Sequence, residues 1–162
     1  EGVQFQFLAS QNTMAALIGG ATVHSWSTIP VNATDAAEKV NNKGDSGDID
    51  PLFENALSMR WLVIDEISTL SPYLQGLLDA YLRRACCRHP YAKLAGRKRP
   101  FGGINMLFAG DLWQLTPVRS HSLFSNPYLN GYTNEEQKIF KMWWKPADLD
   151  SIQKTFLFSQ SP

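Results

Sequence analysis

Three stretches of the chain have the apolar pattern of β-strands. Trp61 to Ile64 is an uninterrupted apolar run that leads directly into Asp65 and Glu66, which predicts a strand buried on both faces of a parallel sheet. Ile104 to Ala109 is a second mostly apolar run, with Asn105 as its polar residue, and it also predicts a buried strand. Val3 to Ala9 alternates weakly between apolar and polar residues and predicts the first strand of the chain.

Helical patterns lie between these strands. The strongest begins at Ser71-Pro72, because proline is favoured in the first turn of a helix, and it continues to about Arg88. Its apolar stripe consists of Leu74, Leu77, Leu78, Tyr81, Leu82 and Ala85. Shorter helices are predicted from about Thr13 to Leu17 and, after the Asp50-Pro51 start signal, from Leu52 to Leu57. Strands that alternate with helices favour an α/β fold with a mostly parallel sheet.

The C-terminal part of the chain predicts one more helix and one more strand. Thr133 to Glu136 has the sequence of a capping box, which opens a helix. Its apolar residues are Ile139, Phe140, Trp143 and Trp144, and Pro146 ends it. A last apolar piece, Thr155 to Phe158, completes a C-terminal helix and strand over residues 133–160.

Two charged segments interrupt the apolar pattern. Residues 32–50 contain five acids against two lysines and are predicted to form an acidic surface loop. Residues 83–99 contain seven Lys and Arg residues and no acid, and we interpret them as a basic loop. A solvated surface is the ordinary role of such a run. Because this one was expected to lie beside a candidate nucleotide site, we also predict contact of Arg97, Lys98 and Arg99 with a nucleic-acid backbone.

Composition places the 162-residue chain among soluble globular proteins of one domain, with 44% hydrophobic and 19% charged residues. Its 15 basic and 15 acidic residues balance, so a nucleic-acid partner has to be argued from local patches. The neighbours Cys86 and Cys87 match neither a disulfide framework nor a metal motif, and favour thiols in a reducing compartment. The sequence shows no membrane-spanning run and no signal-peptide pattern, which favours an intracellular protein.

Two adjacent carboxylates at the end of a strand suit metal-assisted phosphate chemistry. Open α/β sheets bind ligands at the carboxyl ends of their strands, where Asp65 and Glu66 are predicted to lie. One acid can hold Mg²⁺ directly or through its water shell, while the other orients or deprotonates an attacking water. This is the pattern of a Walker B box. The alternative is a buried strand followed by an ordinary acidic turn.

A second polar pair follows the strand from Ile104 to Ala109. In a parallel sheet, Asp111 and Gln114 would lie on the same edge as Asp65 and Glu66. The amide of Gln114 could bond a phosphate oxygen, or its water, and so sense the state of a nucleotide. A polar turn is the alternative, but two such strand ends in one α/β chain favour the nucleotide site.

Thr22 to Trp26 places hydroxyl, imidazole and indole groups within five residues, which we interpret as a polar and aromatic loop near a strand end. Proteins that bind single strands stack bases on aromatic rings and bond phosphates through polar groups. His24 and Trp26 are therefore candidate nucleic-acid contacts. The alternative is that these residues pack and cap.

Three segments, in this order, resemble consecutive motifs of the Pif-family DNA helicases, a branch of superfamily one related to RecD-type enzymes. They are Ile-Gly-Gly-Ala-Thr-Val-His-Ser (18–25), Trp-Leu-Val-Ile-Asp-Glu-Ile-Ser (61–68) and Phe-Gly-Gly-Ile-Asn-Met-Leu-Phe-Ala-Gly-Asp-Leu-Trp-Gln-Leu-Thr-Pro-Val (101–118). The resemblance implies a RecA-like P-loop NTPase fold, with residues 1–162 forming an incomplete first motor domain whose core is 3–118. It also implies ATP hydrolysis with Mg²⁺, coupled to movement along single-stranded DNA, in repair, recombination and telomere maintenance.

Residue by residue, the resemblance implies that Asp65 coordinates Mg²⁺, that Glu66 activates water and that Gln114 contacts the γ-phosphate. Asp111 joins them in the predicted nucleotide-binding set. Thr22, His24, Ser25 and Trp26 form the predicted single-strand contact, with Arg97, Lys98 and Arg99 as further nucleic-acid ligands. The chain departs from the family pattern at Gln11-Asn12, where a small residue and glycine are usual, and at Thr116, where a proline is usual.

No Gly-x-x-x-x-Gly-Lys-[Ser/Thr] motif occurs in the 162 residues, so the loop that grips phosphates in this class is absent from the sequence. We expect that loop upstream of the chain and a second motor domain downstream. We therefore expect an exposed sheet face or edge and no helicase-like ATP hydrolysis by the chain alone. Two alternatives are an adaptor that binds single strands without hydrolysing ATP and a metal-dependent hydrolase built on Asp65, Glu66 and Asp111. A nuclear or mitochondrial monomer that acts on single-stranded DNA and DNA junctions is the expectation for a eukaryotic parent.

Overall fold

The computed structural model describes residues 4–31, 50–86, 99–111, 115–117, 120–126 and 131–143. Within these ranges, four parallel strands form one sheet in the order β2-β1-β3-β4. The strands are β1 (Phe5–Ala9), β2 (Ala21–Thr22), β3 (Trp61–Ile64) and β4 (Asn105–Phe108). The parallel α/β architecture predicted from the apolar pattern is confirmed.

Five α-helices and two short 3₁₀ segments accompany the sheet in the described ranges. The helices are α1 (Asn12–Leu17), α2 (Val23–Ser27), α3 (Asp50–Ala56), α4 (Pro72–Cys86) and α5 (Asn134–Trp143). The 3₁₀ segments are Ile67–Thr69 and Pro100–Gly103. None of the helices in the described part of the chain has the length and apolar character needed to cross a bilayer. The predicted acidic loop, apart from Asp50, and the predicted last strand at 155–158 lie outside the described residues.

Two predictions about local structure were wrong. Thr22 to Trp26 is the end of β2 followed by α2, not a loop, because the Thr22 hydroxyl caps the helix by accepting from Ser25 N at 3.1 Å. Strand β3 is not buried on both faces, since Trp61 is 49% exposed while its neighbour Leu62 is fully buried. The reason is that the core formed by the described residues packs on the face that carries Leu62 and Ile64.

The core is formed where the apolar stripe of α4 packs with the sheet. Leu8, Leu62 and Ile64 are fully buried on the strands, and Leu78 and Leu82 are fully buried on α4. Helices α2 and α3 complete this layer with Val23, Trp26, Leu52 and Ala56. The helical spacing read in the sequence therefore identifies the side of α4 that faces the core.

Helix α5 packs against α4 and begins at the predicted capping box. Thr133 N donates to Glu136 Oε2 at 2.8 Å, and Glu136 N donates to Thr133 Oγ1 at 3.3 Å, which is the reciprocal pattern of that motif. The two helices touch at Gly76, where an added Cβ would lie 2.7 Å from the Cβ of Glu135. A side chain at position 76 would therefore push α5 away from α4.

A buried carboxylate on α4 holds the turn at Pro100–Gly103 that precedes β4. Asp79 is 5% exposed and accepts from Arg83 Nε at 2.8 and 2.9 Å and from Phe101 N at 2.6 Å. Phe101 and Gly102 have φ values of 49° and 64°, in the left-handed region. Asp79 thus holds the strained turn that leads into β4 against the last turns of α4.

Candidate functional site

The three predicted acids, Asp65, Glu66 and Asp111, follow strands at the carboxyl edge of the sheet. Strands β3 and β4 are adjacent and parallel, with Ile64 in register with Phe108. Asp65 directly follows β3, and Asp111 follows β4 by three residues. The pairing continues past the strands, since Ala109 N donates to Ile64 O at 2.8 Å and Asp65 N donates to Leu8 O at 2.9 Å. Gln114, the fourth predicted residue of this site, lies outside the described residues.

Glu66 occupies a strained backbone conformation at this edge. Its φ of 56° and ψ of 46° are left-handed, a region that costs a residue other than glycine roughly 1–3 kcal/mol. The surrounding turn holds it there, because Thr69 N and Thr69 Oγ1 both donate to Glu66 O, at 2.9 and 2.8 Å. Glu66 N donates to Asp65 Oδ1 at 2.9 Å. Strain that is maintained by several hydrogen bonds is common at functional sites.

The turn after β4 packs directly on the turn that carries Glu66. Ile67 N donates to Ala109 O at 3.0 Å. A Cβ at Gly110 would lie 2.8 Å from Ile67 N, so only glycine allows this approach. Asp111, which comes next, is exposed at the same edge. The backbone at Gly110 therefore approaches the turn that holds Asp65 and Glu66, and Asp111 is the next residue along the chain.

A hydrogen bond that the sequence did not predict joins the residue after β1 to the 3₁₀ segment after β3. Ser10 Oγ and Thr69 Oγ1 lie 2.5 Å apart. Thr69 thereby links the Glu66 carbonyl to the residue that follows β1. Ser10 stands directly after a predicted strand, and this position in the sequence indicates the carboxyl edge of the sheet. Nothing in the sequence indicates that Thr69 is its partner.

The donor set fits a magnesium ion that is shared with a phosphate ligand. Asp65 is half-buried, and one of its oxygens accepts from Glu66 N. Among the described residues, no group of three or more His, Cys, Asp or Glu side chains is arranged to hold a metal by itself. Mg²⁺ in phosphate-handling sites is usually bound by one or two carboxylates together with water and phosphate oxygens. The arrangement of Asp65 at the strand end therefore fits that mode of binding.

The predicted single-strand contact lies at the same edge, beyond β1. Strand β2 pairs with β1 through Ala9 and Thr22, so Thr22 and α2 follow the carboxyl end of β2. With strands about 4.8 Å apart, β2 and β3 are roughly 10 Å from each other. His24 Nδ1 lies 3.0 Å from Ile29 O. Because a carbonyl only accepts, Nδ1 carries the proton, which leaves Nε2 to meet a ligand.

Trp26 has a position that differs from the prediction. It is 7% exposed and belongs to the hydrophobic core, while Ser25, its neighbour, is exposed. An indole packed among apolar side chains cannot stack on a base without leaving the core. The helix α2 explains this outcome, since it turns the successive side chains of residues 24–26 in different directions.

The described ends of the predicted basic loop do not both lie beside the acids, contrary to the expectation from the sequence. Helix α4 spans 15 residues, roughly 22 Å, and carries the chain from the carboxyl edge back to the amino edge, where β4 begins. Gly102 packs against Leu82 O and the Cys86 side chain, so Arg99 also lies at the amino edge. Arg97 and Lys98 lie outside the described residues. The structure therefore separates Arg99 from Thr22 and His24.

Comparison with known proteins agrees with this arrangement. The family model of PIF1-like helicases matches residues 4–127. The ATP-dependent DNA helicase PIF1 of Saccharomyces cerevisiae strain YJM789 is 36% identical over 120 residues, which are 68% of this chain and 11% of the yeast protein.

Solved structures of Pif1 helicases have the same fold. Pif1 of Candida albicans has a TM-score of 0.56 at 27% identity, over 71% of this chain and 24% of that one. Pif1 of Bacteroides in complex with ADP-AlF3 and single-stranded DNA has a TM-score of 0.51 at 26% identity, over 89% and 28%. The chain thus spans less than a third of the length of each of these three relatives, with the parallel sheet of their RecA-like domain. On the family match and the relatives together, the chain belongs to the PIF1-like helicase family.

Proposed function

We propose that this chain is part of the first RecA-like motor domain of an ATP-dependent DNA helicase, which couples ATP hydrolysis to translocation on single-stranded DNA and to duplex unwinding. The observation that carries the proposal is the strained Glu66 beside Asp65, at the carboxyl edge shared by parallel strands. The resemblance of the chain to enzymes named ATP-dependent DNA helicases supports it.

The acids have separate roles in this proposal. Asp65 would hold Mg²⁺ through its half-buried carboxylate, and the ion would supply charge neutralisation at the phosphates. Glu66 would orient and deprotonate the attacking water as a general base. Asp111 would contribute to nucleotide binding from the adjacent turn, and Gln114 would contact the γ-phosphate. The proposal gives the left-handed backbone of Glu66 a function, because the turn fixes the direction of the carboxylate in advance.

Thr22, His24 and Ser25 are the proposed contacts to single-stranded DNA. Thr22 Oγ1 and Ser25 Oγ lie 3.0 Å apart, which fixes both hydroxyls at the start of α2. His24 offers Nε2, since its other nitrogen bonds Ile29 O. DNA junctions are a further proposed substrate. Work in repair, recombination and telomere maintenance, in the nucleus or in mitochondria, is the proposed setting for a eukaryotic parent.

The direct test is Glu66→Gln in the longest protein that contains this chain. Loss of the general base should lower DNA-stimulated ATP turnover by roughly 10²–10⁴-fold, while the affinity for single-stranded DNA should not change. Glu54→Gln is the matched control, because Glu54 is exposed on α3. The proposal fails if Glu66→Gln and Glu54→Gln turn over ATP equally well.

A second candidate function follows from the missing Gly-x-x-x-x-Gly-Lys-[Ser/Thr] motif. An adaptor that binds single strands without hydrolysing ATP would need His24 but not Glu66. The longer protein would then bind DNA in a salt-dependent manner and show no DNA-stimulated turnover, with or without Glu66→Gln. For the 162-residue chain, both candidates predict no helicase-like turnover, so the longer protein is the one that separates them.

A further inference from the structure

A cleft of about 490 Å³ opens between α4, α5 and the turn at Pro100–Gly103. We call it the α4–α5 cleft. It lies beside the middle turns of α4 and the turn that precedes β4 at the amino edge of the sheet. Asp65 and Glu66, in contrast, follow β3 at the carboxyl edge. No role at the proposed nucleotide or single-strand site uses it.

The charge of the cleft is positive. Arg83, Lys138 and Lys141 line it, and Asp79 is the acid in its wall. Asp79 is buried, and its oxygens already accept from Arg83 Nε and Phe101 N. A carboxylate engaged in this way repels an approaching anion less than an unpaired one would.

Two of the cations are available to a ligand. Lys138 and Lys141 are exposed and stand three residues apart on α5, so they share one side of that helix. Neither forms a salt bridge with a side chain in the described part of the chain. Glu135, one turn earlier, is the nearest acid along α5 on that side, and its backbone and Cβ pack on Gly76. The exposed wall of the cleft is thus a pair of lysines at helical spacing.

The floor of the cleft is apolar. Ala80, Pro100 and Met142 supply carbon surface between the cations. None of the described residues that line the cleft is aromatic, so these residues offer no ring on which a base could stack. Cations around an apolar floor suit a repeating chain of phosphates and sugars, in which the sugar can cover carbon atoms while the phosphates meet Lys and Arg.

The cations of the cleft stand on two elements. Arg83 belongs to α4, and Lys138 and Lys141 belong to α5. Positive charge on both helices fits a ligand with several phosphates better than a single small anion.

We propose that the α4–α5 cleft binds the phosphate backbone of nucleic acid, without regard to sequence or strandedness, at a place separate from Thr22 and His24. The choice of nucleic acid over an acidic peptide rests on the proposed function. The contact itself rests on the cations and floor described above, and it requires neither ATP nor Glu66. A strand held there would approach the motor domain from the edge opposite to the acids.

The test uses the 162-residue chain and labelled single- and double-stranded oligonucleotides, with fluorescence anisotropy between about 50 and 200 mM salt. The double variant Lys138→Glu/Lys141→Glu should weaken binding of both oligonucleotides by about tenfold or more at the lower salt. It should also reduce the slope of log affinity against log salt by roughly 0.7 to 0.9 for each lost phosphate contact. Lys39→Glu/Lys43→Glu makes the same change of charge in the acidic segment and should have little effect. Lys138→Gln/Lys141→Gln, which removes charge without reversing it, should give an intermediate loss.

The possible outcomes separate this inference from the proposed function. Equal affinities for the cleft and control variants, or no binding of DNA by the parent chain, would overturn the inference. Loss of poly-glutamate binding with unchanged DNA binding would also overturn it, since it would assign the cleft to an acidic peptide. Failure of the Glu66→Gln experiment would contradict ATP hydrolysis and leave the anisotropy result intact. Circular dichroism melts of all variants establish that each comparison is made between folded chains.

Discussion

The two faces of the four-stranded sheet carry similar residue types and have very different surroundings. In register, Phe5 pairs with Trp61 and Phe7 with Val63, so alternate residues of neighbouring strands form rows on one face. On the closed face, Leu8, Leu62 and Ile64 are fully buried. On the open face, Phe5 is 56%, Phe7 36%, Trp61 49% and Leu107 52% exposed.

This contrast teaches that apolar sequence alone does not identify the buried face. An uninterrupted apolar run is typical of a parallel strand covered on both faces, and Trp61 to Ile64 has that pattern. The structure shows cover from α2, α3 and α4 on one face. The open face confirms the expectation of an exposed sheet surface. Contiguous exposed aromatic and aliphatic groups mark a surface that associates with something.

The largest expected effect on stability comes from making the same truncation, leucine to alanine, on each face of the sheet. Leu62→Ala removes a fully buried side chain from β3 and should lower the free energy of unfolding by about 2–5 kcal/mol. Leu107→Ala removes the same atoms from β4, where the side chain is 52% exposed. It should cost less than about 1 kcal/mol. Urea unfolding followed by circular dichroism measures both differences.

The ratio of the two losses is the informative quantity. Comparable losses for Leu62→Ala and Leu107→Ala would mean that both faces are covered in solution, contrary to the structure. An unchanged slope of free energy against urea would show that the variants differ in stability and not in the compactness of the unfolded chain.

The next effect concerns the outer layer of the closed face, where α5 packs on α4. Thr133→Ala removes the hydroxyl that accepts from Glu136 N, and loss of such a cap costs about 1 kcal/mol. Lys138→Ala is the control in the same helix, because its exposed side chain should change stability by less than about 0.5 kcal/mol. Thermal unfolding of both variants measures the difference. Equal stability of the two would show that α5 contributes nothing to the closed layer.

Sequence reasoning predicted the features that depend on neighbours along the chain. The structure contains three such local patterns. They are the apolar stripe of α4, the capping box at Thr133 and the strand that directly precedes Asp65. The carboxyl edge was also predictable, because parallel strands must all point the same way. The roles of Asp65, Glu66 and Asp111 at that edge stay predictions.

The errors arose where tertiary packing decides. Trp26 was given a surface role, but α2 turns its indole into the core. The basic loop was expected beside the acids. Helix α4, with 15 residues, instead carries the chain to the amino edge of the sheet, where Arg99 lies. The strain at Glu66 has no sequence signal, since the positive φ follows from hydrogen bonds to Thr69 and from the close approach of Gly110.

The third prediction concerns the open face directly. Phe5→Ser and Leu107→Ser place hydroxyls on a surface that is already more than half exposed. Self-association of the chain should decrease, because apolar contact between copies is weakened, while the free energy of unfolding should change by about 0.5 kcal/mol or less for each substitution. Sedimentation velocity over a range of concentrations measures association. Stronger association of the double variant than of the parent would contradict an apolar contact on this face.

The smallest expected effect is a loss of folding stability at alkaline pH, which arises where α5 packs on α4. Burial, followed by the charges of Glu135 and Glu136, raises the pKa of Tyr73 above 10. Burial, followed by Glu136, does the same to the pKa of Tyr132, whose hydroxyl donates to Asn126 O at 2.6 Å. A raised pKa means that the folded chain favours the neutral phenol. The stability contributed by these groups is therefore complete below pH 10 and is lost as the pH rises through their folded pKa values.

The variant Tyr73→Phe/Tyr132→Phe isolates this contribution, because phenylalanine cannot ionise. Between pH 9 and pH 11, the parent should lose more stability than the double variant, although the variant is less stable at pH 9 for lack of the bond to Asn126. Urea unfolding at each pH gives the two slopes. Parallel slopes would mean that the phenols ionise as easily in the folded chain as in the unfolded one. That result would contradict the burial of both phenols and the proximity of the acids of α5 that the structure shows.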